Sequence, residues 1–300
     1  MPVPLLLDTD IGGDCDDALA LALAIRHPEI DLRAVTTVSG DTTVRAHLAA
    51  RLLAIGGCTD VEVAPGVRVD SDAPNWMGHE GEGIEPGPEA PLSERGGVDA
   101  LCSANDAVLA TIGMQSNVAA ALERDSAIVD RVRLLAVMGG SFAPIVALDG
   151  TEYPPERDWN LICDPDGAVR ALNAGFETLY VPVDVTFRCP LRRAHLDRLR
   201  KGDELCRALS ALIDVWYQRI LAPFEMTGES DVVAFLHDPL TVACIVDRSF
   251  VTVERMPVIV QMVDGVPRTL VDEERGCEAD VVRSVDAAAF ADWWLETVLG

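Results

Sequence analysis

Positively charged residues are scarce in this sequence, and lysine is almost absent. The 300 residues contain 24 Lys and Arg against 49 Asp and Glu, which gives a net charge of −25 at pH 7, and Lys201 is the only lysine. Proteins that bind nucleic acid need a basic face that neutralises phosphates, and no segment of this chain supplies one. We therefore expect no nucleic acid partner, and the acidity is more consistent with solubility or with a high-salt or acid-tolerant setting.

Three signals of a membrane or secretory location are also missing. No uncharged apolar run approaches the length of about 18 residues that a transmembrane helix needs. The first ten residues, MPVPLLLDTD, lack the basic segment of a signal peptide. None of the eight cysteines has CxxC spacing, and most lie in apolar segments, as Cys244 does in TVACIV, which is typical of buried, reduced thiols. We expect a cytoplasmic protein with no membrane partner.

Strand-like and helix-like patterns alternate through most of the chain. This alternation predicts an α/β fold, with a mostly parallel central sheet flanked by helices and a Rossmann-like core. Hydrophobic residues make up 49% of the chain, and no linker or repeat interrupts it, so we expect one domain over residues 1–300. The predicted strands cover residues 3–7, 32–38, 61–64, 107–112, 133–137, 178–183, 256–263, 268–271 and 281–284. The predicted helices cover residues 16–26, 43–55, 117–123, 166–174, 205–226 and 286–298, and residues 65–97 and 143–157 are predicted to be irregular.

Five aspartates crowd into the first predicted turn. Asp8, Asp10, Asp14, Asp16 and Asp17 follow the first strand and lead into the first helix. Because side chains alternate along a strand, one of Asp8 and Asp10 faces the cleft and the other faces inward. Like charges at this spacing repel one another unless a cation lies among them. Carboxylate oxygens favour a hard cation, Ca²⁺ or Mg²⁺, and ligand sites in such sheets lie beyond the carboxyl ends of the strands.

A second candidate lies far along the chain, in the segment FLHDPLTVACIVD. His237 and Asp238 precede Pro239 near the start of a predicted helix. A carboxylate at that position could reach the metal, and the adjacent imidazole could donate a proton. A simple helix cap would also explain Asp238.

These residues, together with several further segments, resemble the inosine–uridine-preferring nucleoside hydrolase family. DTDIGGDCDDALALALA is similar to that family's N-terminal acidic fingerprint, with two extra residues before the paired aspartates. The segments that follow in the family's order are VTTVSGD, TIGMQSNVAAAL, VMGGSF, DWNLICDPDGA, VPVDVTF and HDPLTVA. The resemblance covers about residues 3–250, and the joint order of the segments is far more specific than any one of them.

The resemblance implies hydrolysis of the N-glycosidic bond of nucleosides, with Ca²⁺ holding the attacking water and two ribose hydroxyls. Asp10 resembles the carboxylate that binds Ca²⁺ and takes the proton of the water. Asp17 resembles the bidentate Ca²⁺ ligand, Asp238 a further ligand, and Ser116 the residue that offers a backbone carbonyl to the metal. Family members of this kind are expected to form homodimers or homotetramers.

The resemblance also implies a set of residues that contact the sugar. Asp16 resembles the residue that binds a ribose hydroxyl, but the two-residue extension leaves open whether Asp14 or Asp16 does so. Asp158 and Asn160 resemble the acid and amide pair that holds the sugar, and Met138 lines the face of the sugar.

The resemblance also singles out two histidines. His237 matches a histidine proposed to protonate the leaving base, and His79, in GHEGEGI, is similar to a histidine of the family's flexible loop. Asp41 occupies a position near the sugar where many family members have asparagine, and the usual asparagine is missing between residues 141 and 157. These departures leave the sugar, the nucleobase and even activity open, so a catalytically silent member that binds a sugar or nucleoside is one alternative.

The second alternative is a Mg²⁺-dependent aspartyl phosphatase. Asp8 and Asp10 after an apolar strand are similar to a DxD nucleophile pair. Such enzymes need a basic side chain near the phosphate, and an arginine would have to serve here because Lys201 falls near a predicted helix.

Overall fold

The computed structural model describes residues 1–69, 76–154, 158–223 and 231–300. The strands of these residues are β1 (Val3–Thr9), β2 (Ile30–Thr37), β3 (Glu62–Pro65), β4 (Ala107–Thr111), β5 (Val132–Met138), β6 (Ile145–Val146), β7 (Glu152–Tyr153), β8 (Thr178–Val181), β9 (Pro190–Arg192), β10 (Val232–Phe235), β11 (Val251–Val263), β12 (Val266–Val271) and β13 (Cys277–Val285). Nine of them form one sheet in the order β12-β11-β13-β8-β5-β4-β1-β2-β3. All neighbours from β13 to β3 are parallel, while β11 runs antiparallel to β13 and β12.

Helices cover both faces of this sheet. Within the described ranges they are α1 (Asp16–Arg26), α2 (Thr42–Ile55), α3 (Gly97–Cys102), α4 (Ser116–Arg124), α5 (Ile128–Arg131), α6 (Trp159–Ile162), α7 (Pro165–Leu172), α8 (Val183–Thr186), α9 (Arg193–Leu199), α10 (Glu204–Trp216), α11 (His237–Val246) and α12 (Ala287–Leu299). The apolar residues separate into two large clusters, one containing α1, α11 and α12 and the other containing α4 and α7. The predicted α/β class with a mostly parallel sheet is therefore confirmed.

The early elements match the sequence pattern closely, and the later ones differ from it. Each of the six strands predicted before residue 185 is present, with ends that shift by no more than two residues. The long helix predicted over residues 205–226 is α-helical only to Trp216 and continues as a π-helix over Tyr217–Leu221, while residues 224–230 lie outside the described part. A π-helix has i→i+5 hydrogen bonds that the apolar pattern of the sequence does not reveal.

The two segments predicted to be irregular are largely so. Among the described residues of 65–97, Leu92 forms one isolated bridge, with Val63 of β3, and residues 70–75 are outside the description. In the other segment, β6 and β7 form a short antiparallel pair. Among the described residues, no helix is long and apolar enough to cross a membrane.

This topology gathers one end of several elements at a single edge. The carboxyl ends of β1, β4, β5 and β8 are neighbours because these strands are adjacent and parallel. Helix α1 packs against α11, so the N-termini of two helices from distant parts of the chain meet at the same edge. A ligand site is expected there, beyond the carboxyl ends of the strands.

Candidate functional site

Three carboxylates come together in the lining of a pocket at this sheet edge. Asp16 and Asp17 lie in the first turn of α1, and Asp238 lies in the first turn of α11. One oxygen from each of the three lies within 4.8 Å of the others, and all three side chains are buried. We call these residues the carboxylate cluster. Asp10, at the end of β1, and Asp14 line the same pocket.

The electrostatics of this cluster favour a bound cation. Burial and then repulsion from neighbouring aspartates raise the pKa of Asp16, Asp17 and Asp238 well above the ordinary value. Burial also raises the pKa of Asp14 to about 7. Buried carboxylates that destabilise one another in this way fit a divalent ion, because they supply only oxygen ligands and excess negative charge. The cluster could therefore bind a metal ion.

The loop that carries these aspartates is held by a buried arginine that sequence reasoning missed. Arg45 in α2 is fully buried, and its Nη1 donates to the main-chain oxygens of Asp10 and of Ile11, the latter at 2.9 Å. Its Nε donates to the oxygen of Ser39 at 2.9 Å. This guanidinium joins the ends of β1 and β2, and its charge acts to lower the pKa of Asp17.

The structure resolves which aspartate of the first strand faces the cleft. Asp8 is fully buried on the other side, where its Oδ1 accepts hydrogen bonds from Thr36 Oγ1 and from Asn117 Nδ2 at 2.6 Å. Burial raises the pKa of Asp8 to about 7. Asp10 therefore faces the pocket, and its Oδ1 lies so close to Gly113 that a Cβ there would approach it to 2.7 Å.

A further buried carboxyl group, that of Asp158, also lines the pocket. Asp158 precedes α6 and accepts hydrogen bonds from the main-chain nitrogens of Gly140 at 2.5 Å and of Leu161 at 3.3 Å. Burial raises its pKa to about 7, although these backbone bonds act to lower it. Asp158 thus can both accept and donate hydrogen bonds near neutral pH.

Asn160 lies beside Asp158 and is fixed by the ends of two strands. Its Nδ2 donates to the main-chain oxygens of Ile112 at 3.0 Å and of Met138 at 3.1 Å. Because Nδ2 is committed to these carbonyls, Oδ1 is the atom that a ligand could contact. Met138 also lines the pocket, and its implied place at the face of the sugar stays a prediction.

Aromatic rings form the remaining wall of the pocket. We call this group the aromatic wall: Tyr153, Trp159, Phe187, Trp216 and Phe235. His237 belongs to the same surface, because its ring centroid lies 5.6 Å from that of Phe187 and 5.5 Å from that of Phe235. Its Nδ1 lies 2.8 Å from Thr186 Oγ1, and burial lowers the pKa of His237 to about 4, so the free imidazole is neutral at pH 7.

Three predicted site residues are not among those that line this pocket. Asp41 is the N-cap of α2 and accepts from the nitrogens of Thr43 at 3.1 Å and Val44 at 3.2 Å. His79 is buried, and its Nε2 lies 3.0 Å from the oxygen of Gly13. Ser116, whose carbonyl was expected to bind metal, begins α4. Their predicted roles stay predictions.

The family model described as inosine-uridine preferring nucleoside hydrolase matches residues 5–292. The chain belongs to this family. The family and the fold support hydrolysis of the N-glycosidic bond of nucleosides, so the protein is an N-glycosidic hydrolase.

Individual members of the nucleoside hydrolase family show how far the similarity extends. The chain is 30% identical over 279 residues to the inosine-uridine preferring nucleoside hydrolase of Crithidia fasciculata, which covers 87% of this chain and 84% of that protein. It is 28% identical over 271 residues to a pyrimidine-specific ribonucleoside hydrolase of Salmonella paratyphi B, and the match covers 85% of this chain and 83% of that protein. The solved structure of a purine-preferring ribonucleoside hydrolase from Gardnerella vaginalis has the same fold, with a TM-score of 0.84 and 23% identity. The match covers 99% of this chain and 98% of that one.

In this nucleoside hydrolase, the aromatic wall and Arg45 are the parts that sequence reasoning missed. Only 5% of the residues are aromatic, so their concentration in irregular and late segments was an available signal. For Arg45 there was no comparable signal, because a helix pattern does not tell which polar residue its partners will cover.

Proposed function

We propose that this protein hydrolyses ribonucleosides to the free base and the sugar, with Ca²⁺ as its metal and Asp10 as the base that activates water. The observation that carries the proposal is the arrangement of a single pocket. The carboxylate cluster, the pair Asp158 and Asn160, and the aromatic wall all line it. This arrangement suits a molecule with a hydroxyl-rich sugar at one end and a flat base at the other.

Asp17 and Asp238 would hold the ion, and Asp16 is close enough to share it or to bind a ribose hydroxyl. A dication at this position supplies positive charge that makes water easier to deprotonate and orients it. Asp10 accepts the proton at a carboxylate oxygen. Its main-chain oxygen is fixed by Arg45, so the carboxylate is presented from a rigid strand end.

The sugar would lie between the carboxylate cluster and the pair Asp158 and Asn160. Cleavage of the glycosidic bond builds positive charge on the sugar, and the surrounding carboxylates stabilise that charge. Asp158 and Asn160 Oδ1 would accept hydrogen bonds from sugar hydroxyls, and Met138 would cover the face of the ring. Holding the sugar in this way reduces the orientational entropy lost in the transition state.

The leaving base would stack on the aromatic wall, where base–aromatic contacts are worth about 1–3 kcal/mol. If Thr186 Oγ1 donates to Nδ1 of His237, the proton of the neutral imidazole is on Nε2. Nε2–H would then hydrogen-bond to the base and assist its departure.

The phosphatase alternative fits the pocket poorly. The lining residues in the described part of the chain include no Arg or Lys, so a phosphate would meet only negative or neutral groups. Asp8, the other half of the DxD pair, points away from the pocket. An activity assay distinguishes the hydrolase from the other alternative, a catalytically silent protein that binds a sugar or nucleoside.

The test is a reducing-sugar assay against a panel of purine and pyrimidine nucleosides, before and after removal of metal with EGTA. We expect sugar release that EGTA abolishes and that Ca²⁺ restores, and no phosphate release from p-nitrophenyl phosphate. Nucleoside binding by calorimetry without sugar release at any metal concentration would favour the silent member instead. Light scattering on the same sample checks the predicted homodimer or homotetramer.

A further inference from the structure

The loop after β5 contacts both the pocket and the hairpin formed by β11 and β12. Gly140 donates its N–H to Asp158 Oδ2 at 2.5 Å, and its φ is +84°, a value that side-chain-bearing residues rarely adopt. A Cβ at Gly140 would lie 2.9 Å from Cγ2 of Thr269 in β12. The peptide that contacts Asp158 is therefore pressed directly against β12.

Thr269 binds both main-chain groups of the next residue in that loop. Its Oγ1 accepts from the nitrogen of Ser141 at 2.9 Å and donates to the oxygen of Ser141 at 2.9 Å. The hydroxyl thus uses its donor and an acceptor position on one residue, and the side chain is 4% exposed. On the other side, the nitrogen of Phe142 donates to Asp184 Oδ1 at 3.0 Å.

We propose that Thr269 is a positioning residue for substrate binding, because its hydroxyl fixes the peptide of Ser141 and thereby aims the N–H of Gly140 at Asp158. Thr269 is not among the residues that line the pocket, so it acts through the loop and not by touching the substrate. The inference rests on the proposed function, in which Asp158 holds the sugar. It gives the hairpin of β11 and β12, at the far edge of the sheet, a part in substrate binding.

Loss of this support should change the ionisation of Asp158. Burial raises the pKa of Asp158, the backbone hydrogen bonds led by that of Gly140 act to lower it, and the charge of Asp184 acts to raise it. Burial raises the pKa of Asp184, and the charge of Arg283 in β13 acts to lower it. If the N–H of Gly140 turns away, the carboxylate loses its shortest hydrogen bond, and its pKa rises.

Two variants separate the hydroxyl from the shape of the side chain. Thr269→Val keeps the branched shape and removes both hydrogen bonds to Ser141, whereas Thr269→Ser keeps the hydroxyl and removes Cγ2. We expect Thr269→Val to raise KM for a nucleoside about tenfold with a smaller change in kcat, and to move the acid limb of kcat/KM to higher pH. In Thr269→Ser, KM and the acid limb of kcat/KM should both remain as in the wild type. Thr252→Val, which removes an exposed hydroxyl from β11, is the matched control and should change neither.

A readout that does not depend on activity keeps this inference separate from the proposed function. The carboxyl carbon of Asp158, assigned by its disappearance in Asp158→Asn, can be titrated by ¹³C NMR in the wild type and in both variants. We expect a higher pKa in Thr269→Val than in the other two proteins, even if no nucleoside is cleaved.

Either of two results would overturn the inference. In the first, Thr269→Val melts at a lower temperature while the titration of Asp158 and KM stay unchanged, so that Thr269 serves stability alone. In the second, Thr269→Ser behaves as Thr269→Val does, so that packing of the methyl group against Gly140, and not the hydroxyl, is responsible.

Discussion

Replacing Asp158 by asparagine should change how the stability of the protein depends on pH. Burial raises the pKa of Asp158 from 3.8 to about 7. In the unfolded chain the group loses its proton near its ordinary pKa, so between about pH 4 and pH 7 the folded state binds more protons than the unfolded state. The stability that Asp158 contributes is therefore present at low pH and is lost as the pH rises through the folded pKa.

The size of the effect follows from the shift. A difference of about three pKa units corresponds to about 4 kcal/mol, because each unit is worth about 1.4 kcal/mol. Asparagine does not ionise, so the free energy of unfolding of Asp158→Asn relative to wild type should improve by about that amount from pH 4 to pH 8. The relative melting temperature should then change on the order of 10 °C.

Thermal melts of both proteins in EGTA, from pH 4 to pH 8, measure how the difference in melting temperature between variant and wild type changes with pH. The other aspartates of the pocket are present in both proteins, so their own titration cancels in this comparison. If the difference in melting temperature between variant and wild type stays constant across this pH range, folding does not raise the pKa of Asp158, and the reasoning is wrong.

Asp203→Asn provides a control of opposite sign. Asp203 is the N-cap of α10, and its side chain accepts from the nitrogen of Cys206 at 3.1 Å and pairs with Arg26. Although burial acts to raise the pKa of Asp203, these hydrogen bonds outweigh it, and the pKa is lowered. Its contribution to stability is present at neutral pH and lost as the pH falls, so Asp203→Asn should be most destabilising near pH 7 and least so in acid.

Three further predictions concern the reaction and the support of the site. Asp10→Ala should lower kcat by about 10²–10⁴-fold with folding retained, as circular dichroism and steady-state kinetics will show, and near-normal turnover would remove its role as base. His237→Ala should harm natural nucleosides more than p-nitrophenyl riboside, whose leaving group needs no assistance, and equal losses would exclude that role. Arg45→Met should lower the free energy of unfolding by about 3–5 kcal/mol in urea titrations, because it removes a buried charge from its partners; a loss below 1 kcal/mol would show that the guanidinium is dispensable.

The sequence predicted most of the parallel sheet, because local patterns determine its strands. Alternating apolar runs and helical spacing located six sheet strands and the four helices α1, α2, α4 and α7 up to residue 185, but not the short elements between them, and the order of parallel strands then placed their carboxyl ends together. The aspartates of the first turn were found for the same reason, since five of them lie within ten residues. Alternation along the strand showed that one of Asp8 and Asp10 faces inward but not which one, because both faces of a central strand are buried.

Composition signalled that aromatic residues concentrate in irregular and late segments, but local pattern could not predict that five of them form the aromatic wall. Tyr153, Trp216 and Phe235 come from a short hairpin, the end of a helix and an isolated strand pair, and only the folded chain brings them to one surface. Arg45 was missed for a related reason. Its burial depends on carbonyls from β1 and β2 that turn toward α2, and an arginine in an amphipathic helix is ordinarily exposed to solvent.

The separation of Asp17 and Asp238 along the chain affects the order of events during synthesis. Helix α1 leaves the ribosome early, but α11 follows only after most of the polypeptide has been translated. Until then the nascent chain holds a set of mutually repelling acids without Asp238, the third member of the carboxylate cluster that could bind an ion. With the metal ligands proposed here, an ion would be captured only late in biogenesis, and a premature stop codon anywhere before α11 would leave a product without one of those ligands.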